Sequence, residues 1–120
     1  MADVLHTAVW VSDLDATAAF YEDGLGLAFS REFEGDDGVT NYFVTGESDA
    51  EIQFKYAADE SPDDPAGIDH LAVEVPDTDA KAEELGAEYD SEILAGPMDH
   101  GDARIAFVTD PDGYGVELIS

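Results

Sequence analysis

Residues 6–18 read HTAVWVSDLDATA and residues 70–82 read HLAVEVPDTDAKA; laid over each other at an offset of 64, they agree at eight of thirteen positions. Self-similarity of this kind marks a duplicated unit whose equivalent positions face each other about a pseudo-twofold axis. The same offset carries Gln53 onto Glu117, so that His6 to Gln53 and His70 to Glu117 both span 47 residues. Gly26 and Gly86 read as helix-ending glycines but lie only 60 residues apart, which predicts a second helix about one turn shorter than the first.

Working outward, each copy reads as strand, helix and three strands. In the first copy residues 4–11 form a short apolar strand. Ser12 or Asp13 caps a helix with Leu14, Ala18 and Tyr21 on its apolar face, and Gly24 and Gly26 end it. Strands follow at residues 28–34, 40–45 and 51–56, with turns at 35–38 and 46–49. The second copy places a strand at 68–75, a helix at 77–85 and strands at 87–93, 104–109 and 116–119. Residues 110–113, Asp-Pro-Asp-Gly, make the last turn. The expectation is an α+β fold of two βαβββ modules in a single domain of residues 1–120: module 1 at 1–58, a linker at 59–66, and module 2 at 67–120.

Composition bounds the function. With 120 residues, 44% of them hydrophobic, the chain has the size of one domain and can bury a core. No apolar run approaches a membrane span, and the N-terminus lacks a secretory pattern, so a cytoplasmic protein without a membrane partner is expected. Thirty Asp and Glu against four Lys and Arg give a net charge of −26, which excludes nucleic acid, whose phosphates need cations this chain lacks. The acids are spread along the whole chain among abundant aliphatic and aromatic residues, which argues against disorder and for an acidic surface adapted to high salt. Without cysteine, a metal must be held by imidazole, carboxylate or amide oxygen.

Alternation along the strand 51–56 puts Glu51, Gln53 and Lys55 on one face and Ile52, Phe54 and Tyr56 on the other, where the apolar set packs under the helix. Gln53 is then left on an open, concave face, and Glu117 reaches the equivalent face between the core residues Val116 and Leu118. If the first and fourth strands of each module lie side by side, each contributes one histidine and one oxygen donor. His6, Gln53, His70 and Glu117 would thus hold one divalent ion (Ni, Co, Mn, Zn or Fe), leaving coordination positions for substrate.

The opening LHTAVWVSDLDATAAFYEDGLGL, the central IDHLAVEVPD and the closing AFVTDPDGYGVELI resemble the vicinal oxygen chelate superfamily over nearly the whole chain. Its fold is the glyoxalase/bleomycin resistance/dihydroxybiphenyl dioxygenase-like fold, and within it the sequence looks most like the glyoxalase I (lactoylglutathione lyase) family. The resemblance implies paired βαβββ modules, usually in a homodimer, and sets His6, Gln53, His70 and Glu117 on the family's metal-ligand positions. Three residues depart from that pattern. Gln53 stands where glyoxalase I usually has Glu, whereas methylmalonyl-CoA epimerase is similar in having a His, Gln, His, Glu set. Trp10 stands where glutathione-using members carry Arg, and Ala57 where they carry Asn, which points to another small thiol or another substrate.

The implied chemistry is proton transfer next to a carbonyl in a small-molecule hemithioacetal, through an enediolate, with Glu117 as base. Lys55 is a candidate to neutralise an anionic substrate, Trp10 to contact it, and His100, placed in a loop at 96–101, to cover it as part of a lid. Three alternatives stay open: a CoA-thioester epimerase, an extradiol dioxygenase using His6, His70 and Glu117 around iron, and a drug-binding protein of the bleomycin-resistance kind.

Overall fold

The computed structural model describes residues 4–59 and 68–120, so the expected linker falls, after Asp59, outside the described residues. The chain divides into two compact units, Met1–Asp63 and Asp64–Ser120. Each is a four-stranded mixed sheet with a helical segment. No described helix is long and apolar enough to cross a membrane.

In the first unit β1 (His6–Trp10) leads into α1 (Leu14–Ala18), followed by β2 (Ala28–Glu34), β3 (Thr40–Thr45) and β4 (Glu51–Tyr56). Asp13 starts the helix: its backbone is extended and its carboxylate accepts the Ala16 N–H at 3.0 Å, a cap that contributes about 1 kcal/mol. The helix then widens into a π-helical segment, Ala19–Gly24, and Gly26, at φ +86°, reverses the chain in a conformation other residues rarely adopt. That segment carries Phe20 and Tyr21 into the core, where the Tyr21 ring lies 4.8 Å from that of Phe54. Burying each such ring contributes roughly 1.5–3 kcal/mol.

The second unit repeats the plan with β5 (Leu71–Glu74), α2 (Thr78–Tyr89), β6 (Ile93–His100), β7 (Ala103–Thr109) and β8 (Gly115–Ile119). Asp77 caps α2 as Asp13 caps α1, accepting the Ala80 N–H at 3.1 Å. Val73, Leu85, Val108, Val116 and Leu118 form its core.

The strand orders are β1-β4-β3-β2 and β5-β8-β7-β6, so the first and fourth strands of each unit do pair side by side, in parallel. Their registers coincide under the repeat. Ala8 faces Gln53 as Ala72 faces Glu117, and Phe43 lies opposite Gln53 as Phe107 lies opposite Glu117. Even the bulge is repeated, between Phe29 and Arg31 in β2 and between Ile93 and Ala95 in β6.

Three expectations need correction. The second helix is not shorter: α2 runs through Gly86 to Tyr89 and is closed by Asp90, a left-handed residue at φ 56°. Gly86 serves packing instead, since a Cβ there would sit 3.4 Å from the Ser91 carbonyl oxygen. The strand expected at 87–93 therefore begins only at Ile93, and the expected loop at 96–101 is mostly strand. Its His100 ends β6, exposed and paired with Ala103.

Candidate metal centre

In the second unit, β5 and β8 bring two of the expected donors together. His70 Nε2 lies 3.3 Å from Glu117 Oε1, and its Nδ1 lies 2.7 Å from Asp69 Oδ2. The ring stands edge-on to Phe107, with centroids 5.3 Å apart. Glu117 projects from β8 between the fully buried Val116 and Leu118, so pleat alternation forces it onto the face away from the core. The turn before β8 is locked by the buried Asp110, whose carboxylate accepts the N–H groups of Asp112 and Tyr114, both at 2.9 Å. Gly113, at φ +87°, completes it. At Gly115 a Cβ would come 3.2 Å from the Asp69 carbonyl oxygen, so the absent side chain lets β8 approach the Asp69–His70 segment that leads into β5.

The first unit offers the equivalent arrangement with an amide in place of the carboxylate. His6 is exposed and stands edge-on to Phe43, at 5.9 Å and 86°, the counterpart of the His70–Phe107 contact. Gln53 shares its face of the sheet with Phe43, but it is only 9% exposed where an open face was expected. Its Nε2 donates to Asn41 Oδ1 at 2.8 Å, and Lys55 Nζ lies 3.4 Å from the same oxygen. Lys55 also sits 5.4 Å from the centre of the Trp10 ring, so two of the expected substrate contacts adjoin each other beside Gln53. Opposite His6, Glu51 receives the Ser30 hydroxyl at 2.6 Å and the Arg31 guanidinium. The Ser30 bond above all, and Arg31 after it, hold the Glu51 carboxyl below its usual range against the desolvation that raises it.

His100 stands apart from this pattern, since its partner Ala103 lies four residues along β7 from Phe107, the residue opposite Glu117. Among the described residues, no group of three or more His, Asp or Glu side chains is placed to hold a metal ion. What the described residues present is one close pair, His70 with Glu117, and in the first unit the equivalent strand positions His6 and Gln53. Two contributors were missed by sequence reasoning. Asp69 had a signal, a carboxylate adjoining a histidine already singled out. Asn41 had none, because its link to Gln53 depends on the register of β3 against β4.

The chemistry of the His70 pair fits a metal ion. In the neutral tautomer that carries its proton on Nδ1, toward Asp69, the ring would turn the Nε2 lone pair toward the Glu117 carboxylate, acceptor against acceptor. A shared cation reconciles them, and a carboxylate on the far nitrogen is the usual support of a metal-binding histidine. Imidazole, carboxylate and amide oxygen without sulfur suit the borderline divalent ions.

Residues 3–118 match the Glyoxalase/Bleomycin resistance protein/Dioxygenase superfamily. The lactoylglutathione lyase of Haemophilus influenzae is 37% identical over 122 residues, spanning 97% of this chain and 90% of its own length. Glyoxalase I from Zea mays superposes with a TM-score of 0.81 at 31% identity, over 97% of this chain and 43% of that protein. The trypanothione-dependent glyoxalase I of Leishmania major gives 0.77 at 28% identity, over 100% of this chain and 87% of its own.

Proposed function

Since the chain belongs to the glyoxalase/bleomycin resistance protein/dioxygenase superfamily, we propose that it is a metal-dependent lyase of the lactoylglutathione lyase kind, isomerising the hemithioacetal of a 2-oxoaldehyde and a small thiol. The observation that carries this reading is the opposition of His70 Nε2, immediately before β5, and Glu117 Oε1 on β8, with the β5–β8 register repeated by the strands of His6 and Gln53. His6, Gln53, His70 and Glu117 would hold one divalent ion. Bound there, the ion supplies Lewis-acid stabilisation of negative charge on the substrate oxygens, worth several kcal/mol.

The chain's own residues do the rest. Glu117 accepts the proton from the carbon bearing sulfur and returns it to the adjacent carbon, so the reaction is a net isomerisation with no oxidant or reductant. Gln53 cannot act as a base, which leaves one carboxylate to serve one face of the substrate. Trp10 and Ala57, which stand where glutathione-using relatives of the resemblance carry Arg and Asn, favour a thiol other than glutathione.

The enzyme is read as a cytoplasmic homodimer from a salt-rich cell. Supporting the dimer are large apolar side chains left open on otherwise acidic surfaces: Phe29 and Phe33 on β2, Ile93, Leu94 and Met98 on β6. Supporting the salt-rich setting is the net charge of −26.

The test is elemental analysis of protein purified in molar salt, then methylglyoxal with a panel of thiols, following thioester formation. Metal-loaded protein that is inert with every thiol would sink the lyase reading. A second reading, a CoA-thioester epimerase, is favoured by the Gln53 amide alone. Turnover of methylmalonyl-CoA in place of the hemithioacetal would establish it.

A further inference from the structure

The amide of Gln53 is oriented by groups that cannot exchange roles. Asn41, only 5% exposed, directs Nδ2 to the Val39 carbonyl oxygen at 3.1 Å, and a backbone carbonyl can only accept. Its Oδ1 therefore points the other way, toward the Lys55 ammonium at 3.4 Å, which can only donate. Between these fixed ends, Oδ1 takes the Gln53 Nε2 at 2.8 Å. The nitrogen end of Gln53 is thus occupied, and Oε1 is the end left to face away from Asn41.

We propose that Asn41 is a positioning residue that holds Gln53 Nε2, presents Gln53 Oε1 as the metal-binding atom, and makes an amide the native donor at this position. The inference rests on the reading of Gln53 as a metal ligand. A carboxylate at position 53 would set oxygen against Asn41 Oδ1, which is already committed by Val39 and Lys55, so exchanging the donor alone would break the network. Lys55 acts through the same oxygen. Whereas Arg31 meets Glu51, Lys81 meets Glu84 and Arg104 meets Asp79 and Asp99, Lys55 among the described residues bonds the neutral Asn41.

The experiment titrates metal-free protein with Co²⁺ by calorimetry in high salt, and records side-chain amide NMR spectra of the same metal-free samples. Asn41→Leu should weaken Co²⁺ binding by roughly 10- to 100-fold and should shift the Gln53 side-chain amide resonances before any metal is added. Asn41→Asp, whose Oδ1 can still accept from Nε2 and Lys55 but whose second oxygen meets the Val39 carbonyl in place of a donor, should bind Co²⁺ more tightly than Asn41→Leu and more weakly than wild type. In a Gln53→Ala background Asn41→Leu should cost nothing further, because the group it positions is gone. If the leucine variant fails to fold, Asn41→Ser, too short to reach Nε2, carries the same expectation. Wild-type affinity in Asn41→Leu, or an equal loss in the Gln53→Ala background, overturns the proposal while leaving the metal site standing. Absence of Co²⁺ binding by the wild type overturns the four-donor site and this proposal together.

Discussion

Glu117 Oε1 stands 3.3 Å from His70 Nε2, across a parallel strand pair whose register is duplicated 64 residues earlier around a glutamine that cannot take up a proton. Under the proposed four-donor site, this asymmetry would leave the proton transfer to Glu117. Glu117→Gln should therefore lower turnover by at least about 10²-fold, the ordinary contribution of a general base. The variant should remain folded, since Glu117 lies on the face away from the core. Steady-state rates and size-exclusion elution measured on one preparation check both halves. Unchanged activity would remove Glu117 from the mechanism.

Asp69 reaches His70 Nδ1 at 2.7 Å while its own side chain is 96% exposed. Removing it takes away the support of the imidazole without opening the core. Asp69→Ala should weaken divalent-metal binding by roughly tenfold or more and leave the thermal midpoint in the metal-free state within about 2 °C. Metal titration and calorimetric melting measure the two separately. A large drop in the midpoint with unchanged metal affinity would make Asp69 a structural residue only.

Much of this arrangement was legible in the sequence, because it follows from local chemistry. The Asp13 cap, the strands 28–34, 40–45 and 51–56, and the turn at 110–113 each rest on residues within a few positions of one another. The duplication was legible too, and it set His70 and Glu117 on adjacent strands before their separation was known. Gly86 misled because glycine stops helices by adopting positive φ, whereas here its lack of a side chain admits the Ser91 backbone. The π-helical widening at Ala19–Gly24 left no mark in the apolar pattern. Asn41 stayed hidden because Gln53 and Lys55 lie 12 and 14 residues away on the next strand, a relation that exists only once the register is set.

Tyr42 gives a prediction at alkaline pH. Burial first, then its hydrogen bond to Glu22 and the neighbouring carboxylates, push its phenol up to about 12, from an ordinary value of about 10. The folded state thus holds this proton more tightly than the unfolded state. The resulting stability is complete below about pH 10 and is lost as pH rises toward 12. Tyr114, raised in the same direction mainly by burial, adds to the effect. Urea unfolding between pH 9 and pH 12 should show stability falling in the wild type and falling less steeply in Tyr42→Phe. Parallel slopes for the two proteins would refute the assignment.

The charge balance makes salt the strongest lever on stability. With a net charge of −26 on 120 residues, carboxylates repel one another across the whole surface, and three of the four Lys and Arg relieve only their immediate neighbours: Arg104 bridges Asp79 at 2.8 Å and Asp99 at 3.2 Å, Arg31 reaches Glu51 at 3.3 Å and Lys81 reaches Glu84 at 2.6 Å. Screening shortens the range of this repulsion from about 10 Å at 0.1 M salt to about 3 Å at 1 M. Raising KCl should therefore raise the thermal midpoint steeply up to about 1 M and more gently beyond it, where screening is nearly complete. Melting curves over a KCl series test the shape of this dependence. A midpoint that is flat between about 0.1 and 1 M would mean that self-repulsion is not what limits the folded state, and the salt-rich setting would lose its physical basis.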